Sequence, residues 1–476
     1  MILVKAIVIA AFAAMIILIG ILGLRRARTF SDYFLGGGKV GPWMTAFTYG
    51  AAYFSAVLFI GFAGKIGWDF GYSGLWIALG NSFIGVLAVW WIMGYRIKQM
   101  SVEMKVDTLP EFLEMRYNSP AMKLGSSIAI FVFFIPYSAA VFIGLSYLFK
   151  VNFGIEYSLA LVLMGLFTAV YLVLGGYKSM TLIDVIFGII MAVGSAVLIA
   201  STIGAGNGLD EISRKLDWFN PKLTEIVGPP GAWPLFCLFF LTSVAPFAMP
   251  QLVQKFYAIK DRRSVRVGMV ASTIFSLLIS TAAYFTGATT RAFLGPENTP
   301  AAFSGGKPVF DALMPEFLTK VVPESLAVLM LLLILSASMS TLAALVLISS
   351  SSVAKDVYAG FINRNVTDRR LTLLMRICSA FFVCLSVILA YFRPATIVSI
   401  LGISWGAIGS LFLGPFVWGL LSKRMTKLGA FASGIAGLGT CIILYVSGKS
   451  SPEAGTVGMI VSLAVNPLIS FFAPKR

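Results

Sequence analysis

Residues 41–55 read Gly41-Pro42-Trp43-Met44-Thr45-Ala46-Phe47-Thr48-Tyr49-Gly50-Ala51-Ala52-Tyr53-Phe54-Ser55, and Gly61, Gly64 and Gly67 follow in the same apolar run. Glycine and small hydroxyl residues at this density let a helix inside a membrane unwind and free its carbonyls. Freed carbonyls at mid-membrane depth are tolerated only in buried protein or beside a cavity, where they can coordinate a cation. The same small residues also suit close helix packing. The run alone leaves both readings open, and the rest of the chain has to decide.

The chain has 476 residues, 58% hydrophobic and 12% charged. Soluble domains average roughly 25% charged residues, so this chain lacks the charge to cover a water-facing surface. About 20 apolar residues span the ~30 Å hydrocarbon layer at 1.5 Å per residue. Apolar runs of that size recur approximately at 3–24, 43–64, 73–95, 121–149, 156–175, 180–203, 232–258, 265–290, 324–353, 371–392, 395–421, 428–448 and 455–473, which predicts about thirteen transmembrane helices. The expected class is an all-α integral membrane protein forming one membrane unit, with no soluble domain. Cys237, Cys378, Cys384 and Cys441 lie in apolar runs without metal-ligand spacing and read as small buried hydrophobes. The chain contains no histidine, the commonest proton shuttle near neutral pH.

The net charge of +16 does not indicate nucleic acid, because the basic residues sit in short loops between apolar runs. With the N-terminus outside and the sides alternating, 25 of the 36 lysines and arginines fall on the inner side. The positive-inside rule therefore predicts an outer N-terminus and a cytoplasmic C-terminus. Arg25, Arg26 and Arg28 follow the first apolar run rather than precede it, so that run reads as a retained helix and not a signal peptide. The loops 204–231 and 291–323 read as longer outer connections.

Three further features could carry chemistry. Ser336-Ala337-Ser338-Met339-Ser340-Thr341 places hydroxyls that could hold sodium together with carbonyls from another helix, since sodium prefers oxygen ligands. Such hydroxyls also bond back to their own helix, and Ser349-Ser350-Ser351-Ser352 reads that way. Asp184 lies a few residues into an apolar run, where a carboxylate is expensive and a functional candidate, with pairing to Lys178 as the alternative. Pro246 and Pro250, followed by Gln251 and Gln254, mark a second interrupted helix. Two interrupted helices in corresponding places point to an inverted-repeat transporter with its site at the midplane. A membrane enzyme would need clustered acids, a thiol or histidines in the membrane, which the spans lack. A sensor would need a signalling domain, and the sequence ends at Ala473-Pro474-Lys475-Arg476.

At these residues the chain resembles the sodium:solute symporter family, which includes proline, pantothenate, monocarboxylate and sugar transporters. The resemblance begins at Asp32-Tyr33-Phe34-Leu35-Gly36-Gly37-Gly38. It continues through Leu174-Gly175-Gly176-Tyr177 and Ala337-Ser338-Met339-Ser340-Thr341-Leu342 to Ser422-Lys423-Arg424-Met425-Thr426-Lys427-Leu428-Gly429-Ala430. It implies a five-plus-five inverted-repeat (LeuT-like) core, with a first helix and inner loop at 1–42, repeats at 43–203 and 232–421, and two last helices at 428–476. It implies a co-transported sodium ion held by the carbonyls of Ala51, Phe54 and Ala337 and the hydroxyls of Ser340 and Thr341. It also implies a multi-pass plasma-membrane protein, most simply of a bacterial inner membrane, with no obligate protein partner.

Three departures from the proline branch stand out. Tyr53 replaces an aspartate, and Thr242 and Pro246 replace a tryptophan and a tyrosine that contact substrate. Some members bind a second sodium through hydroxyls one turn beyond the Ser340–Thr341 pair, together with the aspartate matched by Asp184. Here that turn offers Ala343 and Ala344, so one sodium per solute is expected, with Asp184 in a gating or coupling role. Met249-Pro250-Gln251, Tyr257-Ala258-Ile259-Lys260-Asp261, and Tyr53 followed by Ser55 look more like the pantothenate and monocarboxylate branches. The leading expectation is a small organic anion. The alternatives are a proline-type amino acid, a sugar, or a proton-coupled carrier of the same fold. Tyr53, Ser55, Trp76, Asn81 and Gln251 are the candidate solute contacts.

Overall fold

The long apolar runs fold as helices because lipid offers the backbone no hydrogen-bond partner, so each N–H and C=O must be satisfied within its own segment. The computed structural model describes residues 2–26, 30–36, 40–174 and 177–473. Among them, eleven helical stretches are long and apolar enough to cross a bilayer, joined by the shorter apolar helix Tyr157–Leu172. The expected second and third spans are divided differently. Pro42–Tyr53 is a separate helix of 12 residues, and Val57–Met104 is one helical stretch of 48 residues that turns at Gly71, where φ is 57°. Thirteen crossings therefore do not follow from helix length alone. Arg28, Lys39 and the motif residues Gly37, Gly38, Gly175 and Gly176 lie outside the described residues.

One helix organises the rest. The stretch Glu324–Ile362 has 94% of its apolar window buried inside the protein, whereas Leu3–Leu22 has 17%. The first is a core element wrapped by protein, and the second is a peripheral helix facing lipid. Around the central helix pack Pro42–Tyr53, Pro120–Phe153 and Tyr177–Ala205. The cysteines illustrate the distinction between an apolar inside and an apolar outside. Cys237 and Cys441 are buried as expected, Cys378 is half-buried, and Cys384 is exposed on its helix. A transmembrane helix is apolar on both faces, so apolar neighbours did not fix which face Cys384 takes.

The two interrupted helices are present and meet. Helix Pro42–Tyr53 stops at Phe54, which is extended (φ −107°, ψ 130°), and helix resumes at Ala56. Helix Ala232–Val244 passes through one tight turn, Ala245–Phe247, before Pro250–Ala258 begins. On the side of the basic loops the two are tied together. The Val40 amide donates to Ala258 O at 3.0 Å, and the Lys260 amide donates to Val40 O at 3.1 Å.

At the opposite end, loop helix Phe310–Val321 places Asp311 against the first turn of Ile397–Phe412, where both carboxylate oxygens accept from the Ile397 amide at 3.4 and 3.3 Å. A carboxylate is favourable at a helix N-terminus. Burial nevertheless pushes the Asp311 carboxyl up to about 6, with the Ile397 amide and Lys65 pulling the other way. Its unfolded value is near 4, so between pH 6 and 4 the folded protein holds more protons than the unfolded one. Stability from this group accordingly rises as pH falls through 6. Thermal unfolding of purified protein at pH 7.5 and 5.0, followed by tryptophan fluorescence, should give a smaller acid gain in Asp311→Asn than in wild type. Identical pH responses would refute the assignment.

Candidate functional site

The break in the first interrupted helix determines what its carbonyls face. In an unbroken helix the Ala52 carbonyl would accept from the Ala56 amide. Here the Ala56 amide donates instead to the Ser338 hydroxyl of the central helix at 3.1 Å, while Phe54 N–H still donates to Gly50 O. The freed carbonyls turn toward Thr341. Its Oγ1 lies 3.3 Å from Ala51 O, 3.5 Å from Ala52 O, 3.3 Å from Phe54 O and 3.1 Å from Ala337 O. A threonine hydroxyl has a single proton to donate. Four carbonyl oxygens around one hydroxyl thus form an excess of negative poles that one hydrogen bond cannot satisfy. An oxygen cage of this kind suits a small hard cation.

Four of the five residues read from the sequence as sodium ligands, Ala51, Phe54, Ala337 and Thr341, are brought together by measured distances. Ser340, buried one residue before Thr341 on the same helix, has its hydroxyl beside Asp184. The serine run further along that helix bonds largely to its own backbone. Ser350 donates to Val346 O, Ser351 to Ile348 O at 2.9 Å and Ser352 to Ser349 O at 2.8 Å.

Asp184 stands beside this cage. It is buried, with the Lys255 ammonium and the Ser340 hydroxyl as the polar groups that act on its carboxylate. The side chain of Lys178, the alternative partner, lies outside the described residues. Lys255 does not stand out in the sequence, where it counts among the inner basic residues. The structure buries it in helix Pro250–Ala258 with its ammonium 5.0 Å from the Tyr177 ring centre. Its position inside an apolar run, like that of Asp184, was the available signal.

A second space opens on the other side of Tyr53 and Phe54. It is narrow, about 30 Å³, and is lined by Tyr53, Ser55, Asn81, Tyr137, Tyr284 and Trp405 among others. The Tyr53 and Trp405 rings lie parallel at 5.9 Å with 14° between planes, and Tyr137 meets Trp405 edge-on. Tyr53 Oη donates to Thr242 O at 2.6 Å, fixing that ring across both interrupted helices. No charged side chain lines the space. The Trp405 indole N–H and the Tyr284 hydroxyl border it, next to Tyr137 and Asn81 respectively, so donors line the space.

Tyr53, Ser55 and Asn81 are thus together, but Trp76 and Gln251 are not. Trp76 is 45% exposed and its indole N–H donates to Ile226 O at 3.1 Å, which ties it to the loop before helix Ala232–Val244. Gln251 is buried just after the second break, away from this lining, with both amide atoms unpartnered. Trp76→Phe is therefore expected to leave the solute concentration for half-maximal uptake within about twofold of wild type. Asn81→Ala, which removes a lining amide, should raise it about tenfold, the effect of losing one hydrogen bond of about 1.4 kcal/mol. The reverse ranking in an uptake assay would show that the wrong space has been chosen.

A family model of the sodium:solute symporter family matches residues 33–437. The high-affinity proline transporter PutP of Bacillus subtilis is 30% identical, covering 91% of this chain and 90% of its own. The sodium/pantothenate symporter of Haemophilus influenzae is 27% identical, over 87% of this chain and 84% of its own. The solved structure of a Na+-coupled sialic acid symporter in a substrate-bound outward-open state superposes with a TM-score of 0.81 at 19% identity. That match covers 99% of this chain and 98% of the other, and it establishes a shared fold.

Proposed function

The chain belongs to the sodium:solute symporter family, and from that premise we propose that it couples the entry of one sodium ion to the uptake of a small carboxylate-bearing solute. The observation carrying this reading is the Thr341 hydroxyl among the carbonyls of Ala51, Phe54 and Ala337, with Ser340 alongside. Sodium would take the position where these poles converge. It would thereby join the broken helix to the central helix in the state that accepts solute from outside. Rocking of one repeat against the other would then release both toward the side of the basic loops. Voltage contributes ~2.3 kcal/mol per charge per 100 mV, enough for roughly 50-fold accumulation before the sodium gradient adds to it.

A single sodium is proposed because Ala343 and Ala344 offer no oxygen in the turn after Thr341. The solute class rests on the lining between Tyr53 and Trp405. A site lined by N–H and O–H donors with no acidic side chain suits a carboxylate. A small monocarboxylate is the leading solute. A proline-type zwitterion is the second reading, favoured by the aromatic Tyr53 and Trp405 rings, against which an apolar ring can pack.

Solute-stimulated sodium-22 uptake into proteoliposomes, with short monocarboxylates, pantothenate, proline and sugars compared with and without a membrane potential, tests both parts. Sodium entry stimulated by one carboxylate supports the reading. Uptake driven by protons with sodium absent would replace the coupling ion.

A further inference from the structure

Beyond the central serine run, roughly 15 to 20 Å along the helix axis from Thr341, lies a cavity with room for about one water-sized particle. Its walls come from the loop before helix Leu109–Tyr117, from the second interrupted helix, and from the end of the central helix, which winds more loosely over Ser352–Ile362. Asp356 enters it fully buried. One carboxylate oxygen accepts from the Thr108 hydroxyl at 2.8 Å, and the other has no partner. Gln254 enters from the facing helix, also buried. Its amide nitrogen donates to Phe34 O at 3.1 Å, which leaves its oxygen unpartnered. The Thr108, Ser351 and Ser352 hydroxyls lining the same cavity already donate their protons to Asp356, Ile348 O and Ser349 O. Tyr257 completes the wall.

The surrounding charges do not neutralise Asp356. Lys355 donates to both Asp107 and Glu111 at 3.0 Å, Lys123 pairs with Glu114 at 2.9 Å, and Lys98 donates to Tyr257 O at 3.1 Å. Burial pushes the Glu111 carboxyl up, but Lys355 and the Asp107 amide outweigh it and the net shift is downward, so Lys355 is committed to an ionised partner. Lys355 and Lys123 are thus paired with other carboxylates, and no ion pair among the described residues includes Asp356. A buried carboxylate oxygen and a buried amide oxygen without partners are costly unless a donated proton or a cation lies between them.

We propose that this cavity is a second, separate sodium site, occupied by the ion on its way between the Thr341 cage and the cytoplasm, with Asp356 and Gln254 as its principal ligands. The inference rests on the sodium coupling and the orientation proposed above. The polar groups lining the cavity offer oxygens, as a hard cation requires, among apolar walls from Leu109, Pro110, Ile130, Pro250 and Ile348. Because Asp356 and Gln254 come from the central helix and the second interrupted helix, an ion between them would join these two elements, alongside the Lys355 pairs that tie the end of the central helix to Asp107 and Glu111.

Sodium-22 binding to the purified full-length protein in detergent tests this without knowledge of the solute. Thr341→Val should retain a sodium-22 signal that unlabelled sodium displaces and choline does not. Adding Asp356→Asn should weaken that remaining binding by about tenfold, and Gln254→Met, which keeps the volume and removes the free oxygen, should weaken it in the same direction. Should the Asp356 variant fail to fold, the Gln254 variant decides. Residual binding unchanged by either substitution overturns the second site while leaving the symport reading intact. Wild-type protein that binds no sodium-22 overturns both.

Discussion

Replacing Thr341 by valine is expected to raise the sodium concentration for half-maximal uptake by about 10- to 100-fold, with far less effect on the amount of protein in the membrane. Valine keeps the branched shape and removes the one oxygen that faces Ala51 O, Phe54 O and Ala337 O together. A hydrogen bond or ligand contact involving a charged group is worth about 1.5–3 kcal/mol, which converts to the stated range at 1.4 kcal/mol per tenfold. Ser340→Ala should produce a smaller shift, about tenfold, since its oxygen is one of several and the carbonyls remain. The readout is initial sodium-22 uptake against external sodium at fixed pH and fixed voltage, with choline replacing sodium. A structural role alone would lower the maximal rate and leave the sodium concentration dependence where it was. If both variants keep the wild-type dependence, the cage is not the coupling site.

That cage is legible in the sequence because two separate signals point to it. Small residues over 41–55 mark a helix able to open, and the Ser340–Thr341 pair marks a hydroxyl source on another buried helix. The angular position of a side chain on an apolar helix is not legible in the same way. Trp76 and Trp405 both read as aromatic residues in hydrophobic runs, yet one is tied to the loop before helix Ala232–Val244 and the other lies parallel to Tyr53 over the cavity. Tyr137 and Tyr284 do not stand out for the same reason, since an aromatic stripe in a membrane helix looks alike whether it meets lipid, protein or solute. The cavity around Asp356 is hidden for a different reason. It is assembled from a loop, a broken helix and a helix end remote from one another in sequence, and each contributes only ordinary polar residues.

The glycines after the break resolve the other reading of the opening stretch. Gly67→Val is expected to abolish recovery of folded protein, the largest stability effect anticipated from any substitution in this region. A side-chain carbon on Gly67 would come within 1.9 Å of the Gly287 carbonyl carbon and 2.5 Å of the Ala288 nitrogen, and one on Gly287 would come within 2.2 Å of Ala63 O. Helices Ala63–Phe70 and Arg262–Ala288 therefore touch backbone to backbone. In lipid no hydrophobic effect draws helices together, so such close contact is a main source of association. A flexible side chain could move aside, but a carbonyl fixed in a helix cannot. The cost should exceed the roughly 1–3 kcal/mol of ordinary overpacking, a large part of a typical protein's stability.

Gly61 and Gly64 are likewise closed in, by Ile397 and by the Phe310 carbonyl. Opening and packing are thus divided along one run. The helix breaks at Phe54–Ser55, which are not glycines, and the glycines beyond serve close approach. Gly125→Ala and Gly439→Ala, helical positions with nothing near the added carbon, are the controls and should gain about 0.5–1 kcal/mol from helix propensity. Size-exclusion recovery and thermal unfolding in detergent distinguish the two classes. If Gly67→Val survives as well as these controls, the two backbones are not in contact, and the packing reading of Gly67 fails with it.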